Sequence, residues 1–255
     1  MPEDVIGGVW AVGWGALAGA GAFVGAVLGL VARLRHRGVA ATMALGAGVL
    51  LSLASLDVAS EALAQAGATA TAAGIVGGAA TFSAINAVLA SARHRKRCGE
   101  CQPQPSEADA PGSGSAIALG TALDAVPEAM ILGISLRTGG PDIVMIVAIA
   151  LSNLPEALSG TSGMRLASRS TTYVLSLWTG IALGTAVTTM LAFWLLGDLG
   201  TNARSILEAY GAGALIAMAA ETMLPEAFHK APRYSGVLAA AGFAALILFG
   251  ELAAG

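Results

Sequence analysis

The sequence predicts an all-α integral membrane protein of eight spanning helices. Three observations predict it: the bulk composition, the lengths of the apolar runs, and the side of those runs on which arginine and lysine fall. Of 255 residues, 56% are hydrophobic and 11% charged, and the mean hydropathy is +0.74. That is far more apolar than an ordinary soluble domain. The net charge of -3 is too small to point to nucleic acid or to any other charged partner. The lipid bilayer is the expected surrounding, as for a multi-pass protein of the plasma or inner membrane.

Breakers cut the apolar sequence into spans at 5–32, 39–64, 70–92, 115–136, 142–163, 171–196, 205–228 and 234–254. Each reaches about 20 residues, enough to cross ~30 Å of hydrocarbon at ~1.5 Å per residue. The first opens with the acidic Glu3-Asp4, lacks the basic region of a signal peptide, and is read as an uncleaved helix. Its stripe Gly21, Gly25 and Gly29 suits close helix packing, on another span or on a second copy in a homodimer. The second carries Asp57 and Glu61, and the third ends in a basic run. Residues 93–114 then form a hydrophilic Pro, Gly and Ser-rich loop, with no separate soluble domain. The fourth and fifth contain Pro127-Glu128 and Pro155-Glu156, and Pro141-Asp142 opens the fifth, with Asp142 as its cap. The sixth supplies no acid. The seventh carries Glu221 and Glu226, with His229 just beyond its end, and the eighth closes the bundle. Trp10, Trp14, Trp178 and Trp194 lie near span ends and are read as interfacial anchors. His36 and His229 are also read as interfacial, and His229 as a group that could help a metal leave.

Arginine and lysine favour the cytoplasmic side of short loops. Arg33, Arg35, Arg37, Arg93, Arg95, Lys96, Arg97, Arg165, Arg169, Lys230 and Arg233 fall on one side, and Arg137 and Arg204 on the other. Both termini are therefore expected outside. A missed or invented helix would scramble that alternation.

Against this background the acids stand out. Asp57, Glu61, Asp124, Glu128, Glu156 and Glu221 lie within spans 2, 4, 5 and 7, which hold no Lys or Arg at core depth. Carboxylates in lipid are costly unless protonated, hydrated or bound to a cation. Asp124 and Glu128 are four residues apart and share a helix face, as do Ser152 and Glu156. Pro127 and Pro155 donate no backbone hydrogen bond, so the carbonyls of Leu123 and Leu151 lose their helical partners beside these acids. Matching Pro-Glu-Ala motifs in antiparallel spans suggest inverted-topology repeats with a site between them near the midplane. Cys98 and Cys101 with His94 offer half of a soft-metal site in the loop. No HExxH, phosphate loop or nucleophile-base pair occurs, so no enzyme is predicted.

The chain resembles the ZIP (Zrt/Irt-like) divalent-metal transporters, especially their bacterial branch. The resemblance rests on eight spans, a loop after span 3, and four motifs: Gly48-Val49-Leu50 leading to Asp57 and Glu61, Asp124 to Glu128, Ser152 to Glu156, and Gly213-Ala214 leading to Glu221 and Glu226. It implies a bundle in which spans 4 and 5 hold the metal and alternating access exposes it to each side. Glu128, Asn153 and Glu156 match the family's ligand pattern, while Asp124 and Ser152 stand where it has histidine. Leu50 and Leu183 stand where relatives can have a methionine ligand and a carboxylate for a second metal, which puts a binuclear site in doubt. Glutamate, aspartate, hydroxyl and amide are harder ligands than imidazole. The expected cargo is therefore a divalent metal with relaxed selectivity, among Zn, Mn, Fe and Cd, with Mg and Ca also suited to oxygen ligands. The competing readings are a proton- or sodium-coupled carrier and a non-transporting metal sensor.

Overall fold

The computed structural model describes residues 3–32, 36–93, 113–231 and 233–254. Among these residues the chain forms eight helices and no strand. Helix α1 is Glu3–Val31; α2 (36–66) joins His36–Ser52, a π-helical Leu53–Val58 and Ala59–Ala66; α3 is Ala68–Arg93. Helices α4 and α5 are Ser113–Thr138 and Ile143–Leu166, and α6 is Thr171–Leu195. Helix α7 (201–230) joins Thr201–Met218, a π-helical Ala219–Met223 and Leu224–Lys230, and α8 is Ser235–Ala254. The eight predicted segments coincide with these helices to within a few residues at each end.

Among the described residues, six helices are long and apolar enough to cross a membrane by length and composition. The other two are α4 and α7, which carry Asp124 and Glu128, and Glu208, Glu221 and Glu226. Four of these five acids, Asp124, Glu128, Glu208 and Glu226, are buried, so the acids that lower the hydropathy of these helices are mostly packed inward.

Local chemistry sets several boundaries. Asp142 accepts from the Val144 and Met145 amides at 2.8 and 3.2 Å and caps α5 as expected. Ser170 caps α6 through the Tyr173 amide. Between α2 and α3 the chain turns on Gly67 alone, whose φ of 79° is costly for a side-chain-bearing residue.

Glycines let the backbones touch. A methyl on Gly21 or Gly25 would overlap the carbonyl of Ala150 or Leu154 in α5, and one on Gly29 would meet Thr161. The α1 stripe thus packs within the chain, its contacts ascending together with α5, so these two helices run parallel. Contacts of Gly15 with Ala186 and of Gly19 with Ala182 run in opposite order, so α1 and α6 are antiparallel. Gly74 and Gly78 meet Ile206 and Tyr210 in ascending order, which makes α3 and α7 parallel. These directions are those of helices that alternate up and down along the sequence.

The packing falls into two groups. Helices α1, α4, α5 and α6 pack together, as do α2, α3, α7 and α8, and the groups meet chiefly through α2 on α5 and α4 on α7. Exchanging α1 with α6, α2 with α7, α3 with α8 and α4 with α5 carries the pair α1/α5 into α6/α4, α2/α8 into α7/α3, and α2/α5 into α7/α4. The correspondence extends to single residues. Gly48 of α2 meets the Ala239 carbonyl of α8, and Gly213 of α7 meets the Ile75 carbonyl of α3; Gly242 answers on Leu45, and Gly78 on Tyr210. Both π-helical segments end ten residues beyond Gly48 or Gly213.

Tryptophan placement departs from expectation in one case. Trp10 and Trp194 are exposed at 63% and 39%, whereas Trp178 is buried beside Gly160 among Ala22, Ala26, Ala125 and Ala157. Nearness to a span end fixes depth along the helix but not the face that a side chain occupies. Trp178 is a core residue, not an interfacial anchor.

Arg137 and Arg204, the two arginines expected outside, both serve the turn between α6 and α7. Arg137 pairs with Asp198 at 2.6 Å and lies over the Phe193 ring, and Arg204 donates to the Gly197 carbonyl. Arg33, Arg35 and the loop residues His94, Cys98 and Cys101 lie outside the described residues, so the soft-metal site expected there does too.

Candidate metal centre

Helices α4 and α5 are joined by a short turn at Gly140, and Glu128 and Ser152 lie equally far from it along the chain. An antiparallel pair brings such residues level. Glu128 is fully buried, and both of its oxygens are held: Ser152 Oγ donates to Oε1 at 2.8 Å and Asn153 Nδ2 to Oε2 at 2.7 Å. Ser152 and Asn153 are buried as well, and each also reaches the Ile149 carbonyl at 2.9 Å.

Asp124, one turn before Glu128 on α4, is 7% exposed and lies within electrostatic range of it. Two neutral donors and a second acid thus surround the Glu128 carboxylate. Glu156 follows Ser152 by one turn on α5 and is half-buried. Pro127 and Pro155 remain inside continuous helices. Beside Pro155 it is the carbonyl of Ile149 that takes the side-chain hydrogen bonds, while Leu151 O faces Gly46 of α2.

Such an arrangement can hold a cation through oxygen. The single Ser152 proton serves either Glu128 or Ile149 at one time, which leaves oxygen lone pairs for another partner. Asn153 presents its amide nitrogen to Glu128 and so keeps its carbonyl oxygen as a donor atom. Among the described residues no group of three or more His, Cys, Asp or Glu comes together at metal-holding spacing. A divalent ion here would therefore rely on hydroxyl and amide oxygens beside Glu128, with Asp124 and Glu156 drawing in from one turn away.

The other acids lie apart. Asp57 is half-buried in the π-helical part of α2, within range of Asp142 and Glu61, and Glu61 is exposed. Glu221 is held from α3 by Ser83 Oγ and by Asn86 Nδ2 at 3.1 Å. Glu226 is buried and accepts from Ser159 Oγ of α5, and His229 is exposed. Leu50 is fully buried, and Leu183 is 60% exposed on α6. Sequence reasoning misses Glu208, Ser159, Ser83 and Asn86. Glu208 is 9% exposed and within range of Glu61 and Arg204. Each of the four is a polar residue inside an apolar run, the same signal that singles out the others.

No protein-family model matches the chain, and no curated protein matches it.

Proposed function

We propose that the chain is a membrane carrier of divalent metal cations, similar to the ZIP transporters, with eight crossings, both termini outside, and a site between α4 and α5. The single observation that carries this reading is the buried Glu128 carboxylate, held by Ser152 and Asn153 of the facing helix. A carboxylate at that depth with only neutral donors bonded to it is costly in lipid and is offset by a cation. The matched helix exchanges support inverted repeats, and for α4 and α7 the crossing rests on their inward packing between apolar neighbours.

The ligand set proposed is Asp124, Glu128, Ser152, Asn153 and Glu156. Its oxygen chemistry favours Mn and Fe relative to an imidazole site, with Zn and Cd also carried. Asp57 and Glu61 lie toward the outer mouth, where they attract cations, and Glu226 and His229 toward the inner one. Flux of Mn, Fe, Zn and Cd into liposomes holding the purified protein tests the reading. Uptake lost in Glu128→Ala supports it; strict zinc selectivity would sink the oxygen-site part and leave the carrier standing.

One observation favours a second reading. The lack of a three-ligand group of His, Cys, Asp or Glu among the described residues suits a proton or sodium path through Asp124 and Glu128. Metal-independent proton or sodium flux in the same liposomes would select it.

A further inference from the structure

The exchange that relates the helices also relates individual acids. Glu61 and Glu226 each lie thirteen residues beyond the glycine that fixes their helix, Gly48 or Gly213. Ile131 and Ser159 each lie three residues beyond the glutamate of their Pro-Glu motif. The exchange therefore makes Glu61 and Ile131 the counterparts of Glu226 and Ser159.

The two pairs differ. Glu226 is 8% exposed and Ser159 2%, and the serine hydroxyl donates to the carboxylate. In the counterpart pair Glu61 is exposed, and Ile131, fully buried, has no polar atom to offer it. Ser159 belongs to the α1/α4/α5/α6 group and Glu226 to the α2/α3/α7/α8 group, so their bond joins the two groups. It also lies one helical turn from Glu156 toward the Arg165 end.

We propose that the Ser159–Glu226 hydrogen bond is a latch that closes the Arg165 end, so that this structure is shut on that side, and that breaking the latch lets the two helix groups part and opens the site there. Its meaning for transport rests on the carrier reading, but the contact itself can be tested without it. Burial strengthens the latch, because a hydrogen bond to a carboxylate is stronger away from water.

The test places a single cysteine at Ser162, one turn further along α5, in the full chain carrying Cys98→Ser and Cys101→Ser. A membrane-impermeant maleimide is applied from the Arg165 side of sealed vesicles. Ser159→Ala is expected to raise the initial labelling rate at least about tenfold, the lower end of what a hydrogen bond to a charged group contributes. Ser159→Thr, which keeps the hydroxyl, should return the rate toward the parent. Glu226→Ala reads the same bond from the other side, and the double variant should label no faster than either single one. Equal rates in parent, Ser159→Ala and Glu226→Ala overturn the latch, as does full additivity of the two changes. Equilibrium binding of Mn²⁺ to the parent is measured separately. A parent that binds none removes the carrier reading, whereas the labelling rates decide the latch either way.

Discussion

Replacing Glu128 by glutamine separates a cation site from a structural carboxylate. The amide would keep the volume and the Ser152 bond, since Ser152 can donate to its carbonyl oxygen as it does to the carboxylate at 2.8 Å. Its NH2 would face the Asn153 NH2, so Asn153 must turn its oxygen inward and give up its bond to the Ile149 carbonyl. The two bonds to position 128 become neutral ones, each falling from about 1.5–3 to about 0.5–1.5 kcal/mol, and the Ile149 bond of about 0.5–1.5 kcal/mol is lost. That loss is of order 3–4 kcal/mol in total, and it is opposed by the several kcal/mol that burying an ion costs. The fully buried position makes the second effect at least as large as the first. Thermal unfolding of the cation-free protein should therefore occur at the parent's temperature or higher. Cation binding should fall by at least ~100-fold, about 2.7 kcal/mol, because the central charge is gone. Calorimetric titration with Mn²⁺ and a melting curve on the same preparation measure both. Unchanged Mn²⁺ affinity would refute the site, and a collapsed melting temperature with no parental binding would mark Glu128 as structural.

Asp124→His places an imidazole at a position 7% exposed, and the ratio of zinc to manganese uptake in liposomes should rise. Gly213→Ala puts a methyl against the Ile75 carbonyl and should cost about 1–3 kcal/mol in unfolding assays. Gly13→Ala, with nothing within 4 Å of the added methyl, should cost nothing measurable. Arg137→Ala removes an ion pair whose side chains are 28% and 68% exposed, together with a cation–π contact, and should lower stability by no more than about 1 kcal/mol in the same assays.

The helices are legible in the sequence because length and hydropathy report directly on what a bilayer would require. Gly67, Pro141 and Asp142 mark their turns by backbone chemistry that reads equally well in sequence. The π-helical stretches of α2 and α7 are not legible, since a shift to wider backbone bonding has no residue signature of its own. Nor is the face of a helix: Trp178 looks like Trp194 in sequence, yet one is core and the other exposed. The Gly21, Gly25 and Gly29 stripe announces close packing, but its partner in α5 emerges only from tertiary contacts. At the site, the four-residue spacings and the antiparallel order anticipate Glu128 beside Ser152 and Asn153. They do not anticipate that Ile149, rather than Leu151, presents the carbonyl that the side chains use. Glu226 stands out in sequence as an acid of the seventh span, but its partner Ser159 escapes notice because a serine in a membrane helix can bond its own backbone as readily as another helix.

The central claim is that a divalent cation sits between α4 and α5 on Glu128. Anomalous scattering from crystals soaked in Mn²⁺ locates the ion and its ligands together. One peak is expected within coordination distance of Glu128, with oxygen ligands from among Asp124, Ser152, Asn153 and Glu156. A peak elsewhere, such as beside Glu221, with none at Glu128, would contradict it.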